Sequence, residues 1–188
     1  MKKRVGVLAL QGDFEAHEKA LARAGADAVE VRTAKELENV QGLVIPGGES
    51  TTMLKLLDAT ALKEPLRQLA ETKPIFGTCA GAILVARQVT NPVQESLGFM
   101  DIEVQRNAYG RQLDSRIVNL NPEMEGGELE AVFIRAPIIR NVGPEAKVLA
   151  RYKGDPVLVE EGRHLVATFH PELSQDDRIH RLFLDKVE

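Results

Sequence analysis

The sequence predicts an α/β fold in which a mostly parallel central sheet carries antiparallel extensions. In the first half of the chain, short runs of β-branched and aliphatic residues alternate with segments of helical periodicity, and the connections are short. This alternation favours right-handed crossovers between parallel strands. In the second half, short strand-like segments are separated by Gly, Pro and Asn, which suggests antiparallel pairing. With 188 residues and no repeat or convincing linker, we predict one domain, residues 1–188.

The elements of the first half are bounded by local signals. Asp13 is expected to cap the first helix and Gly25 to end it. The helical region that starts at Ser50 is expected to break near Thr60 or Pro65, since proline disrupts a helix interior. The predicted strands are 4–10, 28–33, 42–47 and 73–79, and the predicted helices are 14–25, 50–72, 80–89 and a short polar one after the second strand.

The second half is predicted to consist of strands followed by one closing helix. We expect these strands to extend the central sheet. The predicted strand segments are 101–107, 116–121, 129–136, 146–162 and 164–170, and the closing helix is 176–188.

Composition limits the function classes. A net charge of −4 and a pI of about 5.7 give no electrostatic case for binding nucleic acid or an anionic membrane. One cysteine excludes an intrachain disulfide and a multi-cysteine metal site, and it favours a cytoplasmic location. The apolar run 5–10 near the start is too short for a signal peptide, and no run approaches the ~20 residues of a membrane span.

Cys79, the only cysteine, lies where a buried strand is predicted to turn into a helix. The pattern Gly77-x-Cys79-x-Gly81 is the cysteine counterpart of the G-x-S-x-G nucleophile elbow. A sharp strand-to-helix turn lifts the nucleophile out of the sheet, and only small flanking residues tolerate the close backbone contacts. The N–H groups at the start of the helix stabilise a thiolate and can hold an oxyanion. The structural alternative is a core cysteine packed among glycines.

His170 is the histidine best placed to act as a base for Cys79. It ends an apolar strand and precedes Pro171 and Glu172. Proline favours an extended residue before it, and in extended chain residues i and i+2 face the same way. Glu172 is therefore expected to bind one imidazole nitrogen and leave the other for Cys79. Without the elbow, a strand-end histidine beside an exposed glutamate would be the better interpretation.

The other three histidines carry no predicted chemistry. His17 is interpreted as a packing or surface residue. His164 has no polar companion in the sequence, and His180 is interpreted as a solvated residue.

Two consecutive glycines, Gly47 and Gly48, follow the third predicted strand in the stretch PGGES. Glycines at the carboxyl end of a strand let backbone N–H groups approach a ligand or an oxyanion. An ordinary turn before a Ser cap is the alternative. Because carboxyl ends of neighbouring parallel strands share one crevice, we expect this loop to lie beside the loop of Cys79.

The motifs PGGES, GTCAG and HPE, in that order, resemble the class I glutamine amidotransferases, whose glutaminase domain has a Cys-His-Glu triad. Longer stretches resemble the glutaminase subunits of pyridoxal phosphate synthases over residues 8–183. These stretches are LALQGDFEAH, IPGGESTTM, GTCAGAILVA, RNAYGRQLDS, FIRAP and HPELSQDDRIHRLF. The resemblance implies a flavodoxin-like three-layer sandwich and a single glutaminase domain. Two positions depart from the family pattern: Ala82 and Arg116.

The resemblance also implies roles for individual residues. Cys79 becomes the nucleophile, His170 the general base and then acid, and Glu172 the orienting carboxylate. Backbone N–H groups of Ala80 and of the Gly47-Gly48 pair become the oxyanion hole. The implied glutamine-binding residues are Gly47, Gly48, Glu49, Arg106, Ile134 and Arg135. For the two arginines, a surface ion pair is the structural alternative. No cofactor and no metal are implied.

The resemblance further implies L-glutamine as substrate and a separate synthase subunit, a (β/α)8 barrel, as partner. In this family the glutaminase is generally idle until docked, and the Gly47-Gly48 loop is a candidate switch. The turn with Gln11 and Asp13 is a candidate contact with the partner, or a simple strand-to-helix turn. Two alternatives stay open. One is another glutaminase or a cysteine hydrolase of the same fold, and the other is an inactive homologue that only regulates its partner.

Overall fold

Strands and helices alternate through the first half of the structure, a computed structural model that describes residues 1–107 and 116–188. The strands are β1 (Arg4–Leu8), β2 (Asp27–Val31), β3 (Gly42–Ile45), β4 (Ile75–Thr78), β5 (Ala86–Thr90), β6 (Met100–Gln105), β7 (Arg116–Leu120), β8 (Leu129–Phe133), β9 (Ile138–Val142), β10 (Ala146–Tyr152), β11 (Asp155–Glu161) and β12 (His164–Ala167). The helices are α1 (Phe14–Arg23), α2 (Ala34–Leu37), α3 (Ser50–Ala59), α4 (Lys63–Thr72), α5 (Ala80–Val85) and α6 (Arg178–Asp185), with a short 3-10 helix at Pro171–Leu173.

A seven-stranded sheet forms the middle layer, in the order β10-β11-β12-β4-β3-β1-β2. The five strands from β12 to β2 pair in parallel. Strands β10 and β11 extend the sheet by antiparallel pairing beyond β12. The predicted α/β fold, with its mostly parallel sheet and antiparallel extension, is thus confirmed.

Apolar side chains of each central strand pack on both faces of this sheet. Along β3, Leu43 and Ile45 join the core beneath α3, α4 and α5, whereas Val44 joins the core beneath α1 and α6. The alternation follows from the two-residue period of a strand. Helices on both faces of a buried parallel sheet give the three-layer arrangement.

Two small sheets are separate from the central one, so the prediction that all strands of the second half extend the central sheet is partly wrong. Strands β5, β6 and β9 form one, and the hairpin β7-β8 forms the other. The sequence segments 101–107, 116–121 and 129–136 therefore do not extend the central sheet. Strand β9 was not anticipated, because its apolar start follows a proline-containing turn.

The ends of the helices agree with the predicted local signals in some places and not in others. Gly25 ends α1 with a φ of +98°, and the N–H of Ala26 donates to the carbonyl of Leu21 in a Schellman arrangement. Asp13 occupies the N-cap position, but its side chain makes no capping hydrogen bond. Helix α5 ends at Val85, so the predicted helix 80–89 is wrong in its last four residues, which belong to β5. Pairing with β6 overrides helical propensity there.

Within residues 1–107 and 116–188, no helix has the length and apolar character needed to cross a bilayer.

Candidate active site

Three neighbouring parallel strands end at the same edge of the sheet, and their loops form the candidate site. In the register, Ile45 of β3 lies opposite Gly77, and Thr78 of β4 lies opposite Ala167 of β12. The residues that follow these strands are Pro46, Cys79 and Thr168. The loop of Cys79 therefore lies between the Gly47 loop and the segment that leads to His170, as expected for a crevice at carboxyl ends.

Cys79 adopts a strained backbone conformation, with φ 51° and ψ −108°, between β4 and α5. A positive φ is uncommon for a residue other than glycine and persists only where the surroundings impose it. The glycines beside it are required by close contacts. A Cβ on Gly81 would lie 2.1 Å from the carbonyl oxygen of Ile45, and one on Gly77 would lie 2.5 Å from the carbonyl oxygen of Gly81. The geometry is that of a nucleophile elbow.

His170 and Glu172 are joined by a buried hydrogen bond. Nδ1 of His170 lies 2.5 Å from Oε1 of Glu172, and the two side chains are 10% and 0% exposed. The local backbone differs from the extended prediction, because Pro171 begins a 3-10 helix that carries Glu172 back towards the imidazole. The backbone N–H of His170 donates to the carbonyl of Val132, which anchors the main chain that carries the ring.

The electrostatics of His170 favour its protonated form. Burial alone lowers the pKa of His170, but hydrogen bonds with Cys79 and Glu172, and the charges of both, outweigh burial and raise the pKa to about 10. Near neutral pH the ring is therefore an imidazolium. An imidazolium beside a thiol stabilises the thiolate, which is the nucleophilic form of cysteine.

Gly47 lies directly against both of these residues. A Cβ at this position would lie 2.7 Å from Cε1 of His170 and 3.3 Å from Cβ of Cys79. The next residue, Gly48, has a φ of +149°, and a Cβ there would lie 2.3 Å from Oε1 of Gln11. The same Gln11 oxygen accepts a hydrogen bond from the backbone N–H of Glu49 at 3.0 Å. The glycine loop is thus packed between Gln11 and the cysteine-histidine pair.

A cleft of about 230 Å³ opens in front of Cys79. It is smaller than the ~300–1,000 Å³ that is usual for drug-sized ligands, which suits an amino acid. Its lining residues come from several loops: Gly48, Glu49, Ser50, Cys79, Ala80, Ile83, Arg106, Asn107, Arg135 and Pro137. Of these, Ser50, Ile83, Asn107 and Pro137 were not singled out from the sequence, because nothing in their local pattern distinguishes them. Ile134, which was predicted to bind glutamine, is not a lining residue, but its carbonyl oxygen lies 3.9 Å from Sγ of Cys79.

Glu49 caps the N-terminus of helix α3, a role that the sequence did not suggest. It is the N-cap of α3, and its carboxylate accepts hydrogen bonds from the backbone N–H groups of Thr51 and Thr52. Partial burial acts to raise the pKa of Glu49, but the hydrogen bonds from Thr52 and Thr51 outweigh it and lower the pKa. Arg106 lies 3.6 Å from the same carboxylate and donates to Oγ1 of Thr51.

Arg106 and Arg135 bring positive charge to the lining of the cleft. Arg135 has a φ of 44°, so the turn after β8 is bent sharply at this residue. The segment 108–115, which contains most of the RNAYGRQLDS motif, lies outside the described residues. Among the residues that the structure describes, no group of three or more His, Cys, Asp and Glu side chains is arranged to hold a metal ion.

Two histidines that the sequence left without chemistry lie behind the site. His180 is fully buried, so its interpretation as a solvated residue is wrong. It contacts His17, which is also fully buried and lies 3.3 Å from Oε2 of Glu172. Charged neighbours in the sequence suggested exposure, but Ile179 and Phe183 turn this face of α6 into the core.

The fold, with a cysteine at the carboxyl edge of its parallel sheet, is that of the class I glutamine amidotransferases. The chain belongs to the SNO glutamine amidotransferase family, whose model matches residues 7–188. Among similar proteins is a pyridoxal 5'-phosphate synthase subunit PdxT from Solibacter usitatus, 61% identical over 191 residues, with 98% of this chain and 100% of that protein covered. A subunit of the same name from Koribacter versatilis is 56% identical, with 98% and 95% covered.

Solved structures agree with this assignment. A crystal structure of a glutamine amidotransferase matches with a TM-score of 0.91 and 46% identity over 97% of both chains. The structure of PurLQS from Thermotoga maritima matches with a TM-score of 0.76, and at 16% identity this likeness concerns the fold alone.

Proposed function

We propose that residues 1–188 act as a glutaminase domain that hydrolyses L-glutamine to glutamate and ammonia. The observation that carries the proposal is the contact of three loops: Gly47 lies against both Cys79 and His170, and His170 is hydrogen-bonded to the buried Glu172. Membership of the SNO glutamine amidotransferase family supports the choice of glutamine as substrate.

In the first step, the Cys79 thiolate attacks the carboxamide carbon of glutamine. The carbonyl oxygen becomes an oxyanion, for which we propose the backbone N–H groups of Ala80 and of the Gly47-Gly48 pair as donors. Such donors are often worth about 3–4 kcal/mol each in the transition state. The His170 imidazolium donates its proton to the leaving nitrogen, so ammonia departs and a thioester with Cys79 remains. The raised pKa of His170 supports its role as an acid in this step.

In the second step, a water molecule hydrolyses the thioester. His170, now neutral, takes a proton from the water, which attacks the thioester carbon. Glutamate leaves, and the thiolate and imidazolium are restored. Glu172 holds the imidazole through Nδ1 and stabilises its charge, as the acidic member does in other triads.

We propose that the charged groups of the cleft bind the α-amino and α-carboxylate groups of glutamine. Arg106 and Arg135 suit the carboxylate, because guanidinium groups bind carboxylates with paired donors. Glu49 suits the ammonium, although its carboxylate also caps α3. Ile134 and the glycine loop complete the proposed substrate set.

The ammonia is proposed to pass to a separate pyridoxal 5'-phosphate synthase subunit. Relatives at 61% and 56% identity carry that complex in their names. Release of ammonia without a consumer would waste glutamine. We therefore propose a hetero-oligomer with a synthase subunit for vitamin B6 formation, in the cytoplasm, which the single unpaired cysteine supports.

We further propose that docking acts on the Gly47-Gly48 loop. Glycines let a peptide reorient at low cost, and Gln11 holds this loop through the N–H of Glu49. If the isolated chain hydrolyses glutamine as fast as the complex does, this part of the proposal is wrong.

The test is pyridoxal 5'-phosphate formation by the chain together with a synthase subunit, driven either by glutamine or by ammonium. Cys79→Ala and His170→Asn are expected to abolish the glutamine-driven reaction and to spare the ammonium-driven one. Ammonia release that persists in Cys79→Ala would overturn the mechanism. Labelling of Cys79 by a diazoketone analogue of glutamine, blocked by glutamine, separates this enzyme from a cysteine hydrolase with another substrate.

A further inference from the structure

A pair of buried histidines lies directly behind the proposed triad. His17, on α1, and His180, on α6, are both 0% exposed. Their rings pack against the ring of Phe76, with centroid distances of 6.3 Å and 5.8 Å. Two imidazoles in an apolar core are costly to keep unless their nitrogens make specific hydrogen bonds.

His17 contacts residues of the triad and its immediate neighbours. Its Nδ1 lies 3.0 Å from Nε2 of His180, and its Nε2 lies 3.0 Å from Oγ1 of Thr78, the residue before Cys79. The same Nε2 lies 3.3 Å from Oε2 of Glu172. That oxygen is the one that does not bind His170, and among the described residues no group is aligned to give it a full hydrogen bond. His17 Nε2 is therefore a close polar neighbour of this oxygen.

Both histidines are neutral near pH 7. Burial, followed by the charges of His180 and His170, lowers the pKa of His17 well below its ordinary value. Burial, followed by the charge of Arg23, lowers the pKa of His180 to about 3. Each ring then has one N–H group and one lone pair, so the position of the proton decides what His17 offers to Glu172.

Two arrangements of the protons satisfy the bond between the rings, and the surroundings favour one of them. If Nδ1 of His17 carried the proton, the lone pair of Nε2 would face the carboxylate of Glu172, and His180 would bury an N–H at Nδ1 that has no partner among the described residues. If Nε2 of His17 carries the proton, it donates to Oγ1 of Thr78 and lies 3.3 Å from Oε2 of Glu172, and Nδ1 accepts from Nε2 of His180. Only a lone pair of His180 then lacks a partner, which costs less than a buried N–H.

We propose that His17 is a positioning residue for the triad: its Nε2–H donates to Oγ1 of Thr78 and faces the second carboxylate oxygen of Glu172 at 3.3 Å, and His180 fixes that tautomer by donating to Nδ1. Glu172 would then have His170 hydrogen-bonded to one oxygen and the N–H of His17 3.3 Å from the other. A carboxylate fixed in this way keeps the His170 ring aimed at Cys79. The effect on turnover rests on the proposed function, whereas the proton positions do not.

The proton positions are tested by long-range ¹H–¹⁵N spectra of the full chain labelled at histidine. We expect both rings to be neutral Nε2–H tautomers at pH 7, with signals assigned by their loss in His17→Gln and His180→Gln. A neutral Nδ1–H tautomer or a charged ring at His17 would overturn the proposal. No partner subunit or glutamine is required, so this measurement stands even if the chain is not a glutaminase.

The effect on turnover is tested with the chain assembled with a synthase subunit. His17→Met fills the space but removes the N–H that faces the Glu172 carboxylate, and loss of this contact with a charged group is expected to lower kcat roughly ten- to a hundredfold. KM for glutamine should change less than about threefold, since His17 does not line the cleft. His17→Gln places an amide N–H near the position of Nε2 and is expected to retain kcat within about threefold.

Equal losses in both variants, or full activity in His17→Met, would show that His17 only packs. If the wild-type complex itself fails to hydrolyse glutamine, the proposed function fails, and the spectra alone decide the arrangement of His17 and His180.

Discussion

Replacement of Gly47 by alanine tests how tightly the candidate site is built. The added Cβ would lie 2.7 Å from Cε1 of His170, and ordinary contact begins at 3.4 Å, so the ring must move by roughly 0.7 Å. Cys79 limits movement on the other side, with its Cβ 3.3 Å from the new atom. Misplacement of a catalytic group by about 1 Å can cost a hundredfold in rate. We therefore expect Gly47→Ala to lower kcat for glutamine by about ten- to a hundredfold.

The assay is glutamine-driven ammonia release by the complex, with ammonium-driven pyridoxal 5'-phosphate formation as a check on the synthase subunit. Gly154→Ala is the matched control: its Cβ would meet nothing within 4 Å, but its φ of +85° strains an alanine. It is expected to lose roughly 1–2 kcal/mol of stability and to keep its activity. A Gly47→Ala enzyme with kcat within about threefold of the wild type would show that His170 and Gly47 are not packed as described.

Two further predictions concern stability. Burial, with the charges of Arg163 and Lys186, lowers the pKa of His164 from 6.5 to about 4, so its contribution is present above pH 6.5 and is lost as pH falls towards 4. His164→Asn keeps an acceptor for the N–H of Ile75 without a titrating ring. Between pH 7 and 4, the free energy of unfolding measured in urea should therefore fall by up to about 3 kcal/mol less in the variant than in the wild type. An equal fall in both proteins would contradict this. Gly81→Ala places a Cβ 2.1 Å from the carbonyl oxygen of Ile45, so the free energy of unfolding, measured by heat and by urea, should fall by at least about 2 kcal/mol. A variant as stable as the wild type would rule out the close approach of α5 to β3.

The sequence predicted those features that depend on local backbone chemistry. Gly77 and Gly81 indicated the elbow because a strand-to-helix turn leaves no room for side chains, and the contacts of both glycines bear this out. The alternation of strands and helices predicted the parallel sheet, and the sheet in turn brought the Gly47 loop next to Cys79. By contrast, 86–89 carried a helical pattern, and only pairing with the distant β6 makes it a strand. The roles of the individual cleft residues remain predictions.

His17 and His180 show why the rest of the site was not visible in the sequence. The two residues are 163 positions apart, and although both lie in stretches that resemble the family, neither was assigned a role. Each sits among charged neighbours on a short helix, which suggests a solvated face, yet both rings meet beneath the strand that carries Cys79. The sequence of a helix alone does not show which of its faces is covered by a neighbouring layer of the fold. The site of Cys79 could therefore be inferred from glycines and a lone thiol, whereas the positions of His17 and His180 depend on where α1 and α6 pack.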